Sequence, residues 1–353
     1  MLLSYSLSAT LENWLHDAIL EILGNIHAKI DAGDLVFSWD ELIPNTLLPN
    51  LRQQIKGRHG LKSRVSNYQI AVLGLSIAQR AIINQVMHQQ NDIAGLVSGT
   101  SPISSLKSSF PAVHDVVSDL FIFAYEALPE LGVRDRQYKL IFEALGVKTC
   151  PFCNIERIMS PQETRQDQDH YLAKSIYPFA AVNMRNLVPM CRCCNRDYKH
   201  DIDVLMGFGK QRRRAFDPYQ APGVGISLNK SIPFQGVDSM PAWWVDFVPA
   251  SEESETWDQV FSIRTRYSRD VLNQGFGRWI GSFSTRCRQM RHPKTITDQE
   301  VYDILKAHHE IVVIEKPAGI DFLKPQVFEM LLNYFNAGHV RVIKFIRDAV
   351  VGI

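Results

Sequence analysis

The sequence lacks any long apolar run. No stretch of its 353 residues approaches the roughly 18 consecutive apolar residues of a membrane-spanning helix, which excludes an ordinary membrane span. The N-terminus also has neither the basic region nor the apolar region of a signal peptide. We therefore expect a cytoplasmic protein that does not enter a membrane.

An excess of one charge is also missing. The 38 Lys and Arg residues face 37 Asp and Glu residues, which excludes a uniformly basic protein that coats nucleic acid. The charges are unevenly distributed, however. Residues 185–214 carry eight basic and three acidic side chains, and residues 262–294 carry eight basic side chains and one acidic one. Such windows favour phosphate binding if a nuclease site lies nearby.

Cysteine is scarce, and this excludes a disulfide scaffold. Five of the six cysteines nevertheless fall between positions 150 and 194, and only Cys287 stands apart. In a cytoplasmic protein, such a cluster indicates metal binding more often than disulfides.

Apolar periodicity predicts that the N-terminal region, residues 1–146, is helical. We expect one helix from about residue 67 to 89 with an apolar face that includes Ile70, a loop or linker at 95–110, and helices near 112–128 and 135–145.

The chain downstream is expected to contain a module at 147–220 and a mixed α/β region with a basic surface at 221–353. Alternating runs predict strands within 231–267. Thr297 and Glu300 have the spacing of a capping box, and Pro325 fits the first turn of a further helix that stops near Gly338. The predicted fold class is α+β, mainly helical.

Two cysteine pairs have the two-residue gap of a zinc knuckle. They are Cys150 with Cys153, and Cys191 with Cys194. Four thiolates are the ligand set of a structural Zn²⁺, which closes the site and contributes folding energy. Cys193 is an additional thiol beside the second pair.

Between and after these pairs stand residues in a distinctive order. Asp169 and His170 come first, Asn186 precedes Leu187, Asn195 directly follows Cys194, and Lys199 comes next. In this order, framed by cysteines, the segment resembles the HNH endonuclease family in its zinc-stabilised form. The resemblance covers roughly residues 147–200 and implies a ββα-metal finger of two strands, a loop and a helix around one divalent ion.

The resemblance also implies a role for each position. His170 matches the general base that deprotonates water, and Asn186 matches the residue that braces the loop. Asp169 and Asn195 match the ligands of a catalytic Mg²⁺ or Mn²⁺. The four paired cysteines match the zinc ligands. A histidine base and an oxygen-ligated hard cation suit phosphodiester hydrolysis near neutral pH.

A metal-dependent endonuclease acting on DNA is therefore expected, with RNA as a possible substrate and a homodimer as a possible state. The predicted nucleic-acid-binding side chains are Lys199, Lys210, Arg212, Arg213 and Arg214. The flanking segments 174–178 and 216–219 look like those of HNH nucleases in bacterial anti-phage systems such as Septu and some retrons, which usually work beside an ATPase. The alternative is a non-catalytic zinc module that binds nucleic acid or a partner protein.

Overall fold

The computed structural model describes residues 3–35, 38–163, 168–234, 240–290 and 295–352. It is mainly helical, with two small two-stranded sheets. The chain divides into two compact units. The first comprises Ser4–Gly146 and Ile158–Ala221, and the second comprises Met1–Leu3, Val147–Arg157 and Pro222–Ile353. Within the described residues, no helix is both long enough and apolar enough to cross a membrane.

In the first unit, the helices come first and a small two-stranded sheet follows them. Its helices are α1 (Trp14–Asp31), α2 (Trp39–Leu42), α3 (Pro49–Lys56), α4 (His59–Leu73), α5 (Ile77–Asn91), α6 (Ile93–Ser98), α7 (Leu106–Ser109), α8 (Pro111–Ala127) and α9 (Val133–Ala144). Strands β1 (Gln168–His170) and β2 (Leu187–Pro189) pair antiparallel, and a π-helical segment, Cys193–Lys199, follows them.

One apolar core connects these parts of the first unit. It contains the inner faces of α1, α4 and α8, and it extends to Phe179 and to Leu187 of β2. Phe179 lies edge-on against Phe121 of α8, with ring centroids 5.7 Å apart. The connection between β1 and β2 thus packs against the helices.

The prediction of one helix over residues 67–89 is wrong, because this range contains the end of α4 and most of α5. Ser76 accepts a hydrogen bond from the backbone of Gln79, whose side chain accepts from the backbone of Ser76, and this capping box starts α5. The expected apolar face is also wrong, since Ile70 is 72% exposed. Part of the loop expected at 95–110 is helical, in α6 and α7. Helices α8 and α9 confirm the two helices expected after it.

The second unit is also largely helical. Its strands β3 (Gly225–Ser227) and β4 (Asp246–Val248) pair antiparallel, and its helices are α10 (Glu252–Phe261), α11 (Ile263–Arg266), α12 (Asn273–Gln289), α13 (Asp298–Glu315), α14 (Lys324–Asn336) and α15 (Val340–Val351). A π-helical segment, Tyr267–Leu272, joins α11 to α12.

The strands expected over 231–267 are mostly absent from the described part of that range, which holds β4 and then α10 and α11. A capping box between Ser251 and Ser254 starts α10 and overrides the alternating pattern that follows. Local signals further along are confirmed. Thr297 and Glu300 form the expected capping box of α13, and Pro325 lies in the first turn of α14.

We predict that the first unit loses stability as the pH falls from about 6.5 towards 3. His16 is 2% exposed in α1, and burial lowers the pKa of its imidazole to about 3. Below pH 6.5 the imidazole of His16 therefore takes up a proton in the unfolded chain but not in the folded chain. At pH 5 this difference lowers the free energy of unfolding by about 2 kcal/mol. Urea unfolding at pH 7.5 and pH 5 measures the effect.

The His16→Gln variant should show a flatter pH dependence than the parent protein. His59 is exposed at the start of α4, so His59→Gln serves as the matched control. An equal pH slope in the parent and in His16→Gln would contradict this account.

Candidate active site and metal centre

Four cysteines form a buried group, as the sequence predicted. The Sγ atoms of Cys150, Cys153, Cys191 and Cys194 all lie within 4.8 Å of one another. A tetrahedral zinc ion with bonds of about 2.3 Å places its sulfur ligands roughly 3.8 Å apart. All four residues are fully buried, so the group has the chemistry and the closure of a structural zinc site. Cys193 is outside this group and half-exposed.

Tight turns present the sulfurs. The amides of Cys153 and Asn154 donate to the Cys150 carbonyl at 3.2 and 2.7 Å, and Asn154 has a positive φ of 54°. In the second pair, the amide of Cys194 donates to Sγ of Cys191 at 3.4 Å. Amide donors stabilise a thiolate, which is the form that binds a metal.

The predicted base, His170, and one predicted metal ligand, Asp169, are consecutive residues of β1. Asp169 pairs with Val188 and His170 with Leu187 in the antiparallel register. Successive side chains of a strand point to opposite faces. Asp169 and His170 therefore reach different surroundings, although they are neighbours in the sequence.

Asn186 braces the connection between the strands and is completely buried. Its Oδ1 accepts from the amide of Leu172 at 2.7 Å, and its Nδ2 donates to the carbonyls of Leu172 and Ala180, both at 3.1 Å. Both of its amide hydrogens and its carbonyl oxygen are thus used. The side chain of Asn186 therefore holds the backbone of Leu172 and Ala180 in place.

His170 is held by the carbonyl of Ala181, the residue that follows Ala180. Its Nε2 lies 2.9 Å from the carbonyl oxygen of Ala181. Because a carbonyl only accepts, Nε2 must carry the proton, and in the neutral ring Nδ1 then holds the lone pair. Burial lowers the pKa of His170 to about 3, and nearby Lys174, Lys199 and Arg134 act in the same direction. The imidazole is therefore neutral near pH 7.

Asp169 is engaged by a buried lysine. Nζ of Lys199 lies 2.9 Å from Oδ2 of Asp169, and the lysine side chain is only 1% exposed. Burial raises the pKa of Asp169, while Lys199 opposes that shift. Lys199 had been expected at a nucleic-acid-binding surface, but its ammonium faces the carboxylate instead.

Asn195 lies on the π-helical segment directly after a cysteine of the group. Its amide donates to the carbonyl of Cys191 at 2.9 Å, and its side chain is half-buried. A carboxylate and an amide oxygen are the donor types that Mg²⁺ and Mn²⁺ accept. Asp169 and Asn195 therefore fit such an ion by donor type, with the carboxylate already paired to an ammonium.

The remaining predicted DNA-binding residues separate by exposure. Arg213 is 8% exposed and donates to the carbonyls of Val204 and Asp203 at 3.1 and 2.7 Å. Arg212 is partly buried and donates to main-chain carbonyls, whereas Lys210 and Arg214 are exposed. Of the five, only Lys210 and Arg214 have exposed side chains.

The second basic window is partly neutralised by acids outside it. Arg264 forms ion pairs with Glu255 and Asp258, and Arg278 pairs with Asp321 at 2.6 Å. Two further members of this window, Arg291 and Lys294, lie outside the described residues. Its local charge excess therefore overstates the positive surface of the second unit.

Sequence reasoning missed several contributors to the site. The carbonyl of Ala181 has no sequence signal, because any residue could supply it. Tyr125, whose ring centroid lies 4.4 Å from that of His170, comes from distant α8. Gln137 of α9 donates to the carbonyls of Met184 and Leu187, and only the folded chain reveals these contacts.

Comparison of the chain with protein-family models, curated proteins and solved structures finds no match.

We predict that Cys150→Ser loses bound zinc and, with it, much of the stability of the fold, because a structural zinc site contributes folding energy directly. Zinc content by atomic emission, with a thermal melt, measures both. Cys193→Ser is the matched control, since Cys193 adjoins the group without belonging to it. A zinc-replete, stable Cys150→Ser protein would refute the four-sulfur site.

We also predict that Lys199→Met destabilises the protein by about 3 kcal/mol, because it leaves a mostly buried carboxylate without its partner. The double variant Lys199→Met/Asp169→Asn should recover part of that loss, and chemical denaturation measures all three proteins. Unchanged stability in Lys199→Met would show that the ion pair is not formed in solution.

Proposed function

We propose that this protein is a metal-dependent endonuclease of the HNH type that hydrolyses phosphodiester bonds in DNA. The observation that carries the proposal is the geometry of His170, a neutral imidazole fixed through Nε2 to the carbonyl of Ala181, on the strand that also carries Asp169. A purely structural zinc site needs neither of these side chains.

The role of His170 is that of a general base. With the proton on Nε2, the lone pair of Nδ1 takes a proton from the attacking water. The bond to Ala181 prevents the ring from flipping, so the free nitrogen keeps one direction. The negative charge of the phosphate stabilises the resulting imidazolium.

Cations surround the proposed base. Lys174 and Lys199, together with Arg134, are close enough to lower the pKa of His170. A phosphodiester brings a negative charge that these cations attract and that offsets their effect on the imidazole. Substrate binding thus raises the pKa of His170 towards the range in which a base works well.

Asp169 and Asn195 would hold the divalent ion. When bound, the ion neutralises the charge that develops on the leaving oxygen. Lys199 already pairs with Asp169, so its ammonium must give way or share the carboxylate when an ion binds. We infer that ion binding is weak in the absence of substrate.

We expect His170→Ala to abolish plasmid cleavage in Mg²⁺ or Mn²⁺, while zinc content and the circular dichroism spectrum stay unchanged. A loss of at least a hundredfold is expected from the removal of a general base. His200→Ala is the matched control, since His200 directly follows Lys199 in the sequence but is exposed and bonds to Asp201. Cleavage by His170→Ala at the parental rate would sink the assignment.

The alternative function is a zinc module that binds nucleic acid or a partner protein without cutting. It accounts for the cysteine group but gives no reason for the hydrogen bonds of His170 and Asn186. Parental protein that binds DNA yet leaves plasmid intact with either ion would favour this alternative. A role in anti-phage defence beside an ATPase belongs to the same proposal and rests on the sequence resemblance alone.

A further inference from the structure

The second unit contains a cleft that the proposed nuclease chemistry does not use. Its volume is about 560 Å³. One wall is the chain that enters β4, with Trp243 and Trp244, and the other wall is the helical run from α11 into α12. Volumes of this order are typical of small-molecule sites.

Trp244 is exposed but firmly held. Its side chain is 56% exposed, while its Nε1 donates to Oδ1 of Asp246 at 2.9 Å. Its backbone amide donates to Oγ of Ser231, also at 2.9 Å. An aromatic face that is fixed before a ligand arrives loses little entropy on binding. Trp244 therefore has the properties of a preformed stacking platform.

The opposite wall has an unusual backbone. The π-helical segment Tyr267–Leu272 contributes Ser268 and Arg269 to the cleft, and Asn273 follows at the start of α12. Oδ1 of Asn273 accepts from Nε1 of Trp243 at 2.9 Å, which ties the two walls together. Short π-helical segments within helices occur frequently at functional sites.

The charges in the cleft exclude a cation as the preferred ligand. Nζ of Lys230 lies 2.6 Å from Asp246, and Arg264 pairs with Glu255, also at 2.6 Å. Both carboxylates are therefore satisfied, and neither has an unbalanced charge to attract a cation. A flat, neutral ring suits the remaining surface.

The rim of the cleft supplies a positive side chain. Arg269 is 59% exposed, and its guanidinium donates to both carboxylate oxygens of Asp270, its sequence neighbour, at 2.6 and 2.8 Å. An exposed guanidinium is accessible to a phosphate group of a bound strand. An aromatic platform and a cation in one cleft form the arrangement that binds single strands, in which bases stack and phosphates meet positive charge.

We propose that this cleft binds an unpaired nucleobase of a nucleic-acid strand, stacked on Trp244 with Arg269 beside the adjoining phosphate. The choice of a polymer as the source of the base rests on the proposed nuclease function. The stacking itself rests on the cleft alone.

The test uses the full-length chain carrying His170→Ala, without added divalent ions and without chelator, so that zinc is retained and nothing is cut. Binding of a fluorescein-labelled 12-nucleotide dT strand is followed by anisotropy. Trp244→Ala should weaken binding about tenfold, which is about 1.4 kcal/mol, because the stacking contact with one base is lost. Trp244→Phe should retain most of the affinity. Val340→Ala, at a 78% exposed site elsewhere in the unit, is the control and should bind like the parent.

Three results would overturn the inference. The first is equal affinity in Trp244→Ala and the parent, and the second is an equal dependence on Trp244 with blunt duplex DNA, which offers no unpaired base. The third is competition by free adenosine monophosphate as strong as that by the strand, which would make a free nucleotide the ligand. A protein that binds the strand through Trp244 but never cuts plasmid overturns the proposed nuclease function and leaves the cleft assignment standing.

Discussion

One buried carboxamide fixes the segment between β1 and β2. Asn186 bonds the backbone of Leu172 from both of its polar ends and also holds the carbonyl of Ala180. Ala181, the next residue, supplies the oxygen that orients His170. Asn186 and His170 are therefore bonded to neighbouring carbonyls of the same segment. Because each of these buried groups would otherwise lack a partner, the arrangement is held by the cost of breaking it more than by the strength of any one bond.

The same region holds an ammonium and a carboxylate away from water. The pair of Lys199 and Asp169 is costly to desolvate, and replacing it with apolar side chains of similar volume would often be neutral or stabilising. Stability alone therefore does not account for this pair. Another cation can replace Lys199 as the side-chain partner of Asp169, whereas the backbone amide of His170, from which Asp169 also accepts, stays in place.

Local signals were predictable from the sequence, and long-range ones were not. The cysteine spacing, the box of Thr297 and Glu300, and Pro325 each act over a few residues, and the structure has all of them. The cap at Ser76 was equally local, but an apolar period running across it concealed the break. The burial of Lys199 and Arg213 had no sequence signal, since both residue types are usually exposed. Trp244 gave none either, because its exposure depends on how the chain entering β4 meets a distant helix.

The π-helical segment between α11 and α12 affects which single-residue deletions the fold can tolerate. A widened turn of this kind amounts to one residue inserted into an otherwise regular helix. Deleting one residue there would restore regular winding with the residues beyond it close to their present orientation. Deleting one residue at the start of α12 would instead rotate everything beyond it by about 100°. Phe276, Trp279 and Phe283, now buried along α12, would then turn away from the interior together. The length of α12 is therefore under stricter constraint than the length of the π-helical segment before it.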